Sequence, residues 1–276
     1  MAGRLRRNGS NRGSGVLRQN GGVGETQKTL VVNADDFGFT RDVNAGIVDA
    51  CERGILRATT LMANGSAFED AVRLARAKPG LDVGCHLVLV GGRSVARPET
   101  SLPASVAELI RAMLLRRMAV YEELSAQVRR ILEAGIQPTH LDTHKHTHLL
   151  PAVLEAVARI AEEFKIPWVR RPFQVPLLRW RFRAVLERHG CRTTDHFAGF
   201  RLTGRLGTRE LVDLIRRLPE GTTELMCHPG RCTEELRAAH TRLKESRQVE
   251  LEALIAPEVR EAIEQAGVRV ASCREL

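Results

Sequence analysis

From residue 29 onward, short unbroken apolar runs alternate with stretches of helical period, and most runs end in a polar or turn-forming cluster. The runs are TLVV from 29, ATTLMA over 58–63, LDVGCHLVLV over 81–90, a strand starting at Pro138 and reaching Asp142, IPWVR over 166–170, TTELMC over 222–227 and VRVAS over 268–272. A run that does not alternate polar with apolar belongs in a strand covered on both faces, the signature of a parallel sheet. Between the runs, helices are predicted over 40–54, 66–78, 104–119, 121–134, 151–164, 208–218, 233–254 and 258–266. Thr40 is placed to cap the first of these and Gly54 to stop it, while Ser66 and Glu69 have capping-box spacing for the second. Strand after helix after strand means an α/β fold with a parallel sheet, either open or closed into a (β/α) barrel. Periodicity alone does not choose between them.

At 276 residues, 29–276 forms one domain of ordinary size. Residues 1–28 differ: six cations face only Glu25, which assigns +5 of the formal +9 to this lead and +4 to the remainder. A Gly-, Asn- and Arg-rich stretch with so little to bury is expected to be a disordered basic tail, and its reading as a nucleic-acid arm is the lesser one. Nothing apolar follows its arginines, so it does not read as a secretory signal, and no apolar stretch reaches membrane-spanning length. The six cysteines are scattered with no CxxC pair, as expected of buried hydrophobes in a reducing, cytoplasmic setting, and Cys227 with Cys232 lacks partners for a structural zinc.

The polar clusters fall where parallel strands end, which is where both parallel architectures put their chemistry. Asp35 and Asp36 close the first run, His86 lies near the end of the third, and His228 directly follows TTELMC. Adjacent carboxylates at a strand end repel each other and are costly to desolvate unless a cation joins them. A divalent ion would let one carboxylate ligate while its neighbour accepts a proton, a division suited to activating water. The densest signal is THLDTHKHTH over 139–148, which holds four of the nine histidines. His140, Asp142, His144, His146 and His148 share one face if the segment is extended, but each two-residue step advances about 6.6 Å along a strand. One straight strand cannot bring them all to one ion. Either a few of them ligate while the others orient them, or the chain curls after Asp142. His228, held by Pro229 and Gly230, could protonate a leaving group.

Other chemistries find no motif: GxSxG, HExxH, GxxxxGK[ST] and GxGxxG are all missing. Taken together, NADDFG (33–38), GCHL (84–87), PTHLDTHKHTH (138–148) and CHPG (227–230) resemble the YdjC-like carbohydrate deacetylases, in particular the hopanoid-biosynthesis-associated branch. The resemblance implies a (β/α) barrel, complete or distorted, related to polysaccharide deacetylases. It further implies one divalent metal ion bound by Asp36, His86 and His144, with Asp35 as general base and His228 as acid. His140, Asp142, His146 and His148 become supporting or substrate-lining groups. The implied reaction removes the N-acetyl group from an N-acetylglucosamine-containing glycan or glycolipid, in this branch an N-acetylglucosaminyl hopanoid. Zn, Co, Ni, Mn, Fe and Mg all remain open for such a ligand set.

A lipid substrate directs attention to 168–188, which holds both tryptophans, Trp168 and Trp180, and six arginines against Glu187. A helix beyond Pro176 would align Leu178, Phe182, Val185 and Leu186, a surface suited to reversible contact with the inner face of a membrane. A soluble chitooligosaccharide deacetylase, a phosphoesterase and a non-catalytic metal-binding protein stand as alternatives.

Overall fold

The computed structural model describes residues 27–172 and 176–276, without the side chains of 176–179. The expected tail therefore lies outside the described residues up to 26, whereas Lys28 already belongs to the first strand. In chain order the elements are β1 (Lys28–Phe37), α1 (Arg41–Arg53), β2 (Ala58–Leu61), α2 (Phe68–Ala77), β3 (Asp82–Leu87), α3 (Val106–Leu114) and α4 (Val120–Glu133). They continue as β4 (His140–Thr143), α5 (Pro151–Glu163), β5 (Trp168–Val169), α6 (Pro176–Arg188), β6 (His196–Ala198), α7 (Thr208–Arg216) and β7 (Gly221–Cys227). Helices α8 (Glu234–Ala238), α9 (Glu245–Ile255) and α10 (Pro257–Gln265) and strand β8 (Arg269–Ala271) complete the fold.

All strand pairs are parallel, in the order β5-β4-β3-β2-β1-β7-β6. Among the described residues, β5 meets the segment ahead of β6 at an isolated bridge between Trp168 and Arg192, and the sheet curls into a distorted, incompletely closed barrel. Strand β8 pairs with Thr29–Val31 at the base of β1, and β2 pairs with β1 from Asn33 onward. The continuous apolar runs are buried, as two-sided coverage requires: Leu30, Val31, Val32, Cys85, Leu87, Leu141 and Leu225 are fully enclosed.

Several local expectations change. Thr40 does cap α1, accepting from the Val43 amide at 3.2 Å. Gly54 ends that helix in an extended conformation rather than a left-handed one. Its missing side chain matters because a Cβ would meet the Leu254 carbonyl at 2.4 Å. The Ser66–Glu69 capping box does not form: Ser66 donates to the Phe39 carbonyl and α2 starts at Phe68. The helix read over 233–254 is two, α8 and α9, and β6 was not anticipated.

The proposed lipid-facing segment is largely turned inward. Phe182 and Leu186 belong to the core, Arg170 and Arg171 are buried, and Trp180 is exposed, while the side chain of Leu178 lies outside the described residues. An amphipathic helix on a barrel packs its apolar face onto the sheet, and here that packing takes the surface assigned to lipid. No helix among the described residues is long and apolar enough to cross a membrane.

Helix α1 and the loop after β7 meet at two glycines. A Cβ on Gly46 would stand 2.4 Å from the Gly230 Cα, a backbone atom that cannot swing away. Gly46→Ala should therefore cost on the order of 1–3 kcal/mol or more, as overpacking does, read as a lower denaturation midpoint. Wild-type stability in that variant would contradict the close approach.

Candidate active site

The site sits in the barrel mouth, built from strand ends as the apolar runs foreshadow. Its first oddity is that Asp35 and Asp36, adjacent in a strand, both serve it, although alternation would send neighbouring side chains to opposite faces. The register explains this. Ala34 pairs with Thr59 and Phe37 with Leu61, so two residues of β1 oppose the single Thr60. That is a β-bulge, and Asp36 occupies it with φ +69°, a conformation costing a non-glycine residue roughly 1–2 kcal/mol. The turn is held by the Phe39 amide on the Asp36 carbonyl (3.0 Å) and by the Gly38 amide on Asn44 Oδ1 (2.7 Å).

A second irregularity delivers His144. Strand β4 stops at Thr143, and Lys145 and His146 take φ of +54° and +50° inside a 3-10 turn over His144–Leu149. The chain thus curls after Thr143 instead of running on as a straight histidine ladder. His144 Nδ1 comes to 3.2 Å from His86 Nε2, and Asp36 Oδ1 lies 3.3 Å from the former and 3.4 Å from the latter. Asp36 Oδ1 is buried and accepts no hydrogen bond. Two imidazole nitrogens and one carboxylate oxygen at these separations are spaced like ligand atoms around one ion, since donors about 2.1 Å from a tetrahedral centre are about 3.4 Å apart. The donor set fits a divalent metal.

Two of these groups, His86 and Asp36, are braced from behind. His86 Nδ1 lies 2.7 Å from Asp142 Oδ1, and Thr60 Oγ1 reaches both His86 Nδ1 (3.2 Å) and Asp142 Oδ2 (3.1 Å). A carboxylate behind an imidazole fixes its tautomer and raises its basicity toward a ligand on the far nitrogen. Burial pulls the His86 imidazole down, but Asp142, Asp36 and Asp35 outweigh it and lift it to about 10. Asp36 is pushed up by burial and held well below the carboxylate range by Arg247, with His144 and His86.

Asp35 is organised by Arg170, whose Nη1 and Nη2 donate to its two oxygens at 2.8 and 2.7 Å. The same guanidinium meets Asp142 Oδ2 at 2.6 Å and, through Nε, Glu224 Oε1 at 2.6 Å. Burial raises the Asp35 carboxyl, yet Arg170, His86 and His228 hold it below its ordinary value. His228 Nε2 stands 4.0 Å from Asp35 Oδ2, and the His228 amide donates to Glu250 Oε2 at 2.6 Å.

The remaining histidines divide by what they touch. His140 Nε2 lies 2.8 Å from Asn33 Oδ1, and Asn33 Nδ2 donates to Asp35 Oδ1 at 3.2 Å, so His140 supports the carboxylate from below. His148 is enclosed between Thr143 Oγ1 and the Arg170 carbonyl. His146 packs among His148, Phe197 and Phe200; burial, then Arg170, lowers it to about 4.

Sequence reasoning passed over Asn33, Thr60, Glu224, Arg247 and Glu250, and gave Arg170, the last residue of the strand read over 166–170, no role in the site. Arg170 did carry a signal, because it ends an apolar run as His228 does. Arg247 and Glu250, within an ordinary charged helix, carried only their spacing of one turn.

The family model described as YdjC-like protein matches residues 29–265. A carbohydrate deacetylase of Brevibacillus brevis is 36% identical over 254 residues, covering 90% of this chain and 99% of the relative. One from Geobacillus stearothermophilus is 34% identical over 252 residues, covering 89% and 96%. Among solved structures, a putative cellobiose-phosphate cleavage protein from Enterococcus faecalis superposes with TM-score 0.77 at 24% identity, covering 90% of this chain and 98% of that one. A lactam utilization protein from Thermus thermophilus gives 0.51 at 18% identity, covering 88% and 99%. These two likenesses speak for the fold.

The His86 environment has a measurable consequence in chelator-treated protein. Its folded pKa lies above the unfolded value of 6.5, so its contribution is fully present below that pH and is lost as pH rises toward about 10. Denaturation midpoints of wild type should fall between pH 6.5 and 9.5 more steeply than those of His86→Asn. Equal slopes would mean that the carboxylates around His86 do not act on it as described.

Proposed function

The chain belongs to the YdjC-like family, and on that premise we propose that it is a metal-dependent carbohydrate deacetylase acting on N-acetylglucosaminyl groups. The observation that carries the metal is Asp36 Oδ1, a buried acceptor without a hydrogen bond beside two imidazole nitrogens. Charge supports it as well. Around the site, Asp35, Asp36, Asp142, Glu224 and Glu250 are buried beside Arg170, Arg247 and the His86 imidazolium, five carboxylates to three cations. Uncompensated buried charge is expensive, and a divalent cation offsets most of this excess.

Asp36, His86 and His144 would hold the ion. The chemistry supplied there is Lewis-acid polarisation of the acetamide carbonyl and acidification of water. Asp35 does the proton work: it is ionised at neutral pH, and Arg170 and Asn33 fix its direction. It accepts the proton of the attacking water as the new C–O bond forms. His228, next to Asp35, gives a proton to the amine nitrogen as the C–N bond breaks, releasing acetate and a free amino sugar. The curated relatives' deacetylase activity on carbohydrate supports this reaction over phosphoester cleavage. A two-metal phosphoesterase would call for a second ligand cluster facing the same mouth. Two further groupings occur among the described residues: Asp35, His86 and Asp142 lie in the same mouth but share His86 with the first set and have both carboxylates taken by Arg170, while Asp82, His140 and Cys273 sit at the opposite, N-terminal strand ends, with Asp82 and His140 engaged by Thr139, Asn33 and Arg274.

The test is acetate release from N-acetylglucosaminyl substrates by the full chain, comparing a chitooligosaccharide with the N-acetylglucosaminyl hopanoid that the branch resemblance implies. Chelation should abolish release and one divalent ion per chain should restore it. Asp36→Asn, His86→Ala and His144→Ala should lose metal and turnover together. Asp35→Asn should keep the metal and lose about 10²–10⁴-fold in kcat. Full activity in metal-free protein, or in a folded D35N variant, would contradict the assignment.

A further inference from the structure

The carboxylate read here as a metal ligand is gripped from behind by α9, a helix outside the sheet. Arg247 on α9 directs Nη2 to Asp36 Oδ2 at 2.5 Å, and its Nε donates to the Leu243 carbonyl at 3.3 Å. Its side chain is among the most deeply buried in the protein, and Nη1 has no hydrogen-bond partner. A guanidinium enclosed with one nitrogen unsatisfied is costlier than an apolar side chain of similar volume would be. Stability does not account for it.

What it accomplishes is geometric. A free carboxylate at the bulge could turn either oxygen, or both, toward the imidazoles. With Oδ2 committed to Arg247, only Oδ1 faces His86 and His144. The approach of α9 is itself built in, because the Gly230 amide donates to the Arg247 carbonyl at 3.1 Å and a Cβ on Gly230 would stand 3.2–3.3 Å from Arg247 side-chain carbons. One turn along the same helix, Glu250 takes the His228 amide through Oε2 and the Gly204 amide through Oε1. A single helix therefore braces both the carboxylate and the histidine on the far side of Asp35.

We propose that Arg247 is a positioning residue that restricts Asp36 to one ligating oxygen and thereby sets the affinity and ligand field of the metal. This rests on reading Asp36, His86 and His144 as a metal site. The experiment uses the chelator-stripped full chain, with Zn²⁺ affinity measured against a chromophoric competitor and Co²⁺ visible absorption as a report on ligand geometry. Arg247→Met should weaken Zn²⁺ binding by about 10–100-fold and change the Co²⁺ spectrum while the protein still unfolds cooperatively. Arg247→Gln, which retains a donor for Oδ2, should recover much of both. If the methionine variant does not fold, Arg247→Ala carries the same expectation. A folded R247M or R247A variant with wild-type Zn²⁺ affinity and an unchanged Co²⁺ spectrum overturns the proposal and leaves the metal site standing. Failure of wild type to bind either ion overturns both.

Discussion

Two neighbouring carboxylates cannot share one enclosed pocket unless the backbone turns them the same way and cations hold them there. Here both conditions are met by identifiable parts. The bulge opposite Thr60 supplies the turn, with Asp36 held at φ +69°. Arg170 grips Asp35 through both oxygens, and Arg247 takes one oxygen of Asp36. The second oxygen of Asp36 is left for the imidazoles of His86 and His144, and nearly every other polar contact in the barrel mouth supports one of these four side chains.

The scaffold can sustain that arrangement because the parallel barrel encloses its strands on both sides. Rigid strand ends place Thr60, His86, Asp142 and His228 without help from long loops, and the curl after Thr143 brings His144 back over them. On the proposed reading, adjacent residues divide the labour. Asp36, with its charge shared between a guanidinium and the imidazoles, is suited to ligation. Asp35, ionised and aimed beside His228, is suited to moving protons. The strain at Asp36, Lys145 and His146 lies at the functional mouth, where the surrounding contacts can hold it.

The strand ends were legible because each polar cluster interrupts an apolar run, a one-dimensional signal. Asp35, Asp36, His86 and His228 stand out in this way, and the ten-residue histidine segment stands out by density. The bulge was not legible, since a register shift depends on the partner strand. Nor were Arg247 and Glu250, whose helix reads as an ordinary charged surface until α9 is packed against Gly54 and Gly230. Arg170 ends the strand read over 166–170 and was counted among the arginines of 168–188, but a lone cation at a strand end does not reveal the three carboxylates that meet it inside the barrel. Phe182 was assigned to a lipid-facing surface and lies in the core, because an amphipathic stripe does not say which surface it will cover.

The central claim is that the carboxylate and imidazoles at 36, 86 and 144 form a single metal centre. Anomalous diffraction from crystals of the full chain grown with Zn²⁺, recorded on both sides of the zinc absorption edge, tests this directly. The account predicts one strong peak within bonding distance of Asp36 Oδ1, His86 Nε2 and His144 Nδ1, with Arg247 still on Asp36 Oδ2. A barrel mouth without a peak, or zinc held instead by Asp82, His140 and Cys273, would contradict it.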